Sequence, residues 1–147
     1  EEQKLVSFDF KEVELSPLMS KERIIELRGI ITREVFLHEA LAKYIRRLVA
    51  AARPYHAETE WLVHSPSELV ETCVDLGASP RATICWGRLV KVWALLQGRR
   101  SEVLPEDVQH LAKYVLGHRI WLGPHAASHG VTVEMVTEDI IERVPVP

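Results

Sequence analysis

Ser79, Pro80 and Arg81 are the residues of this chain whose types and spacing point most directly to chemistry. They lie in Gly77-Ala78-Ser79-Pro80-Arg81-Ala82, just ahead of a long apolar stretch. Serine is a favoured helix N-cap, and proline suits the first helical position, where its missing N–H would have no intrahelical partner. The pattern predicts a helix that opens at Pro80 with Arg81 in its first turn. An exposed cation there opposes the helix macrodipole, at a cost of about 0.3–1 kcal/mol. The free backbone N–H groups of the same turn attract anions. A planar guanidinium aimed at the same point matches phosphate oxygens. The plain alternative is a surface arginine that tolerates a small penalty.

Other catalytic signatures are missing. No Gly-x-x-x-x-Gly-Lys-[Ser/Thr] loop is present to cradle phosphates, and no apolar strand ends in paired acids. His38-Glu39 does not continue to a second histidine in the spacing of a zinc protease. No serine or cysteine nucleophile sits in a recognisable elbow. A self-sufficient enzyme is not expected. His125 and His129 are four apart, a spacing that lets two histidines on a helix share a metal. Pro124 and Gly130 bracket them and no third ligand is evident, so solvated loop histidines are expected and no metal site. Trp61, Trp86, Trp93 and Trp121 are too scattered for a stacking platform. Trp86 and Trp93, one heptad apart, read as core or as a docking face.

Composition narrows the classes further. A chain of 147 residues can enclose one real core. Its net charge of -3 creates no global field that would recruit nucleic acid or membrane. Arg46, Arg47, Arg53, Arg88, Lys91, Arg99 and Arg100 could gather into a patch, but solvated faces of amphipathic helices are the expectation. Without base-reading or stacking signatures this argues against a nucleic-acid role. No apolar run approaches the ~20 residues that span a bilayer, and no secretory signal is read at the start. Cys73 and Cys85 fit no metal spacing and read as reduced thiols of a cytoplasmic protein. The chain opens on Glu1 without an initiator methionine, which favours a piece of something longer.

The elements that must position these residues are mostly helical. Residues 1–19 alternate loosely, as an extended arm does. A helix is expected after Ser20, with Ile24, Ile25, Leu27 and Ile31 on its apolar side and Gly29 weakening it. A second runs from about His38 to Arg53 and stops at Pro54, with residues 54–64 as loop. Ser65 and Glu68 form a capping-box pattern around Pro66, so a short helix should follow to about Leu76, ended by Gly77. The helix from Pro80 to about Gln97 is apolar nearly all round, as a central helix is, and Gly98 stops it. Gly87 within it suggests close helix packing. Pro105-Glu106-Asp107 opens another helix, which buries Val108, Leu111, Ala112, Val115 and Leu116. Residues 119–122 read as a short strand pairing near Val103, residues 123–132 as loop, and 133–144 as a last helix. The expected fold is all-α, a mainly helical bundle with at most a short two-stranded element.

Several of these stretches occur together in one order: Gly-Ala-Ser-Pro-Arg-Ala at 77–82, Leu-Leu-Gln-Gly-Arg at 95–99, Val-Leu-Pro-Glu-Asp-Val at 103–108, Leu-Ala-Lys-Tyr-Val-Leu-Gly-His-Arg-Ile at 111–120 and Val-Pro-Val-Pro at 144–147. With residues 31–53, they resemble the C-terminal lid domain of MoxR-type AAA+ ATPases. The resemblance covers residues 18–147, and residues 1–17 would be the linker or arm that follows the ATPase core. It implies that Arg81 is the sensor 2 arginine, contacting the γ-phosphate of ATP, with Ser79 beside it in the nucleotide-binding segment. A trans contact, to a neighbouring subunit's nucleotide, is favoured over a cis one. Magnesium would be held by the core, and no cofactor is expected on this chain alone. The implied partners are its own core, the neighbouring subunits of a ring, a hexamer by family habit, and a protein client. The Walker elements, sensor 1 and arginine finger of the family lie outside this sequence, so the fragment alone is not expected to hydrolyse ATP. Arg88, on the same side as Arg81, is expected in a salt bridge. A stand-alone helical adaptor is the other reading, with Arg81 merely exposed.

Overall fold

The structure, a computed structural model, describes residues 16–54, 67–98 and 101–147. The described elements are α1 (Lys21–Glu34), α2 (Glu39–Ala51), α3 (Glu68–Cys73), β1 (Val74–Leu76), α4 (Arg81–Leu96), α5 (Pro105–Leu116), β2 (Trp121–Leu122), α6 (Pro124–His129) and α7 (Val133–Arg143). The architecture is a helical bundle with one two-stranded antiparallel sheet. α4 packs against α5, α2 and α1, and α5 in turn packs on α7. The calls made on residues 1–15, Trp61, Ser65, Pro66, Arg99 and Arg100 lie outside the described residues.

Local chemistry explains most helix starts. Ser20 Oγ accepts from the Arg23 N–H at 3.2 Å and caps α1. His38 Nδ1 accepts from the Ala40 N–H at 3.1 Å and caps α2. α5 opens on Pro105, and the buried Asp107 carboxylate accepts from the Leu104 N–H at 2.9 Å. α2 buries Leu41, Tyr44, Ile45, Leu48 and Val49 at helical spacing. Gln109 of α5 donates to the Tyr44 hydroxyl at 3.2 Å, which ties α2 to α5. Burial around that phenol pushes its pKa up, and the bond from Gln109 opposes the shift.

Several expectations are corrected. The cap of α3 is Ser67, whose Oγ accepts from the Val70 N–H at 3.1 Å, rather than Ser65. α3 ends at Cys73, three residues before the expected stop, because Val74 turns into an extended backbone and pairs with Leu122. The strand at 121–122 therefore pairs with β1, and Val103 instead donates its N–H to the Phe36 carbonyl at 3.2 Å. Residues 124–129, expected as loop, form α6, with Pro124 first inside and Gly130 left-handed at its end. The apolar side of α1 is not core: no residue of α1 is buried, and Ile24 and Ile25 are exposed.

α4 is central, but it buries one stripe rather than its whole circumference. Ala82, Trp86, Val90 and Ala94 are fully enclosed, whereas Ile84, Leu89 and Leu96 face outward. Trp93 is half-buried and stacks on His110 of α5, with ring centroids 4.6 Å apart at 15°. Gly87 does not mark close packing. A Cβ there would meet Leu37 Cδ2 at 3.7 Å, an ordinary contact.

Alanine at Gly87 should therefore fit and strengthen the helix, because glycine in a helix interior costs roughly 0.5–1 kcal/mol relative to alanine. The Gly87→Ala chain should unfold at higher urea with an unchanged slope. A midpoint at or below the wild-type value would contradict this account of α4.

Candidate functional site

The segment 77–82 is held by backbone against backbone. Gly77 lies against the C-terminal end of α2, where a Cβ would overlap the Ala52 carbonyl and come 2.7 Å from Arg53 Cα. Only hydrogen fits there, so glycine is required by space, not as the stop of α3. Ala78 next to it is fully buried. β1, immediately before, is fixed by its pairing with β2. Three consecutive constraints thus deliver the chain to the start of α4.

Pro80 already has helical dihedrals, φ −55° and ψ −23°. The Ala82 N–H bonds to the Ser79 carbonyl at 2.9 Å and the Thr83 N–H to the Pro80 carbonyl at 3.1 Å. The helix therefore opens with a tight i→i+3 turn. Ser79 contributes its backbone carbonyl to that turn. Its side chain caps nothing among the described residues, contrary to the expectation of a serine N-cap: the helix begins one residue later, with Pro80 at the cap position, and the Ala82 N–H is taken by the Ser79 carbonyl. The Arg81 N–H is left without a partner among the described residues.

Arg81 itself is exposed, and its guanidinium makes no hydrogen bond or ion pair among the described residues. A cation at a helix N-terminus that no carboxylate neutralises is a free donor fork beside a partial positive charge. That arrangement repels cations and suits a multiply charged oxyanion. Arg53, half-buried at the end of α2, stands beside the same loop, and its Nε is buried without a partner among the described residues. The sequence pattern offered no signal for this neighbour, because the approach of residue 53 to residue 77 is a long-range contact. Arg88 has no salt bridge among the described residues, so the expected pair is absent.

The other flagged residues separate from this site. His125 and His129 do share a helix, with ring centroids 4.1 Å apart. His129 Nδ1 is within bonding distance of the Ser128 hydroxyl and the His125 carbonyl. No group of three metal-ligating side chains occurs among the described residues. Cys73 is buried and Cys85 exposed, both free. No described helix is long and apolar enough to cross a membrane.

Comparison with known proteins places the fold in a family. A family model described as AAA lid domain matches residues 67–144. The chain is 31% identical over 139 residues to the uncharacterized protein YeaC of Bacillus subtilis (strain 168), covering 93% of this chain and 41% of that protein. It is 30% identical to Chaperone MoxR1 of Mycobacterium tuberculosis, over 88% of this chain and 32% of the relative. It is 29% identical to Protein MoxR of Methylorubrum extorquens, over 86% and 36% respectively. A crystal structure of a protein from Cytophaga hutchinsonii, assigned as an ATPase, matches with a TM-score of 0.76 at 32% identity, over 99% of this chain and 41% of that one. The chain thus spans well under half the length of each of these relatives.

The glycine constraint predicts a specific defect. Gly77→Ala should destabilise the chain by about 1–3 kcal/mol, the usual cost of forcing an extra methyl into a packed contact. The measurement is the urea midpoint. A wild-type midpoint would mean that the loop does not rest on the end of α2.

Proposed function

From the premise that the chain belongs to the AAA lid domain family, in its MoxR-type form, we propose that it is the lid of a longer polypeptide that hydrolyses ATP. In this reading Arg81 is the sensor 2 residue. The single observation that carries it is the exposed, unpaired guanidinium in the first turn of α4. The residues present fit one side of a triphosphate: a free donor fork, a free backbone N–H on the same residue, and no carboxylate bonded to either among the described residues. ATP, held with magnesium by the ATPase core of the longer polypeptide, supplies the γ-phosphate on which charge develops during hydrolysis.

Arg81 binds a γ-phosphate oxygen and stabilises the charge of the transferring phosphoryl group. Ser79 lines the approach through its backbone turn. Loss of the phosphate removes the partner of Arg81, and α4 carries that change into α5 and α2, the helices packed on it. The arginine serves a neighbouring subunit's nucleotide in a ring, and the ring remodels a protein client. The name of one relative, Chaperone MoxR1, supports the client-directed part of this reading.

The test is ATP turnover by the longer polypeptide, wild type against Arg81→Ala and Arg81→Lys, with assembly followed by sizing. Removing a charged group that stabilises a transferring phosphoryl should lower turnover by at least about tenfold. Lysine should restore only part of it, since it cannot present a planar fork. Unchanged turnover with intact assembly would reduce Arg81 to a surface arginine.

A further inference from the structure

A groove of about 490 Å³ lies between α1 and α4. Arg28 of α1 and Arg88 and Lys91 of α4 line it, and no carboxylate does among the described residues. Lys91 Nζ donates to the Thr32 carbonyl at 3.3 Å and ties the two walls together. The guanidinium groups of Arg28 and Arg88 make no hydrogen bond or ion pair among the described residues. Between the cations run Ile31, Ile84 and Val92. The groove therefore alternates free positive charge with aliphatic surface.

Folding accounts for only part of this face. None of the fourteen residues of α1 is fully buried; Ile31 packs partly against the core, and Ile24 and Ile25, outside the groove lining, stay exposed. Ile84 of α4 is 59% exposed at the groove's edge. Three like charges held around one space repel one another, and an occupant that supplies carboxylates removes that repulsion while it covers the aliphatic surface. We infer that this groove docks a segment of a protein partner that carries carboxylates on both sides of an aliphatic side chain. Nucleic acid fits less well, because no aromatic ring lines the groove to stack a base and aliphatic side chains interrupt the basic track. A lipid chain would need an enclosed apolar cavity, whereas this space is open along one side between two helices. The inference is independent of what Arg81 binds.

The probe is a short fluorescent peptide alternating glutamate and leucine, titrated with the 147-residue chain at low ionic strength and followed by anisotropy. Saturable binding is expected. Arg28→Glu combined with Arg88→Glu should weaken it at least about tenfold, as should raising the salt, because both act on the same screened charges. Arg46→Glu, an exposed charge on α2 outside the groove, should leave it unchanged. Peptides with lysine for glutamate, or serine for leucine, should bind at least about tenfold more weakly. Circular dichroism confirms folding, and if the double glutamate variant is unfolded, Arg28→Gln with Arg88→Gln takes its place. Four results would each overturn the inference: absent binding; equal binding by the double variant; equally tight binding of the glutamate–serine peptide or of single-stranded DNA; or loss of peptide binding in the longer polypeptide, which would assign the groove to that polypeptide's own contacts.

Discussion

The burial of one stripe of α4 governs where every other feature of this domain points. Ala82, Trp86, Val90 and Ala94 recur every four residues, so the stripe drifts slowly around the helix. Alanine at both ends lets the flanking helices come close, and the indole of Trp86 fills the space between them. An aromatic side chain of this kind buries about 150–250 Å², which at about 25 cal/mol per Å² favours folding by roughly 4–6 kcal/mol. Its Nε1 has no partner among the described residues, and an unpaired buried donor costs about 1–3 kcal/mol. Burial outweighs that cost, and the volume of the indole sets the separation of α4 from its neighbours. With that stripe turned inward, Arg81, Ile84 and Arg88 must emerge on the opposite side. The outer face of α4 is a by-product of its inner one.

Electrostatics at the start of α4 are best judged by comparing magnitudes. An exposed cation in a first turn costs about 0.3–1 kcal/mol. A hydrogen bond between charged groups contributes about 1.5–3 kcal/mol. A domain that keeps arginine there without a carboxylate to pair it tolerates a small standing penalty in its free form. The penalty is more than offset once an anion arrives. What the start of α4 presents is a single donor fork on a rigid mount.

What was legible in the sequence was whatever short-range chemistry decides. Ser20 and Pro105-Glu106-Asp107 announce helix starts through bonds within one turn, and both elements stand where expected. The buried stripe of α5 follows from its spacing alone. The end of α3 was not legible, because Val74 leaves the helix to pair with a residue forty-eight positions away in sequence. α6 was hidden by its own brackets: Pro124 and Gly130 read as loop punctuation, yet they are the N-terminal and C-terminal signals of a six-residue helix. The requirement for glycine at 77 was read as a helix stop, while its cause lies at Ala52. At the site, the position of Arg81 in the first turn was legible, whereas the cap expected from Ser79 is not made, because the helix begins one residue later.

The contact at Gly77 has a mechanical consequence. The loop that leads into α4 rests on the last carbonyls of α2 with no side chain between them, so it has almost no compliance in that direction. Pushing the loop toward α2 meets a hard repulsive wall, and pulling it away opens a void that neither water nor a neighbouring side chain readily fills. A displacement applied at residue 81 is therefore not absorbed locally. Such a displacement is passed to α2, against which the loop rests, whereas α1 is anchored by no fully buried residue. The stiffness of the whole domain near its charged end comes down to the absence of one methyl group.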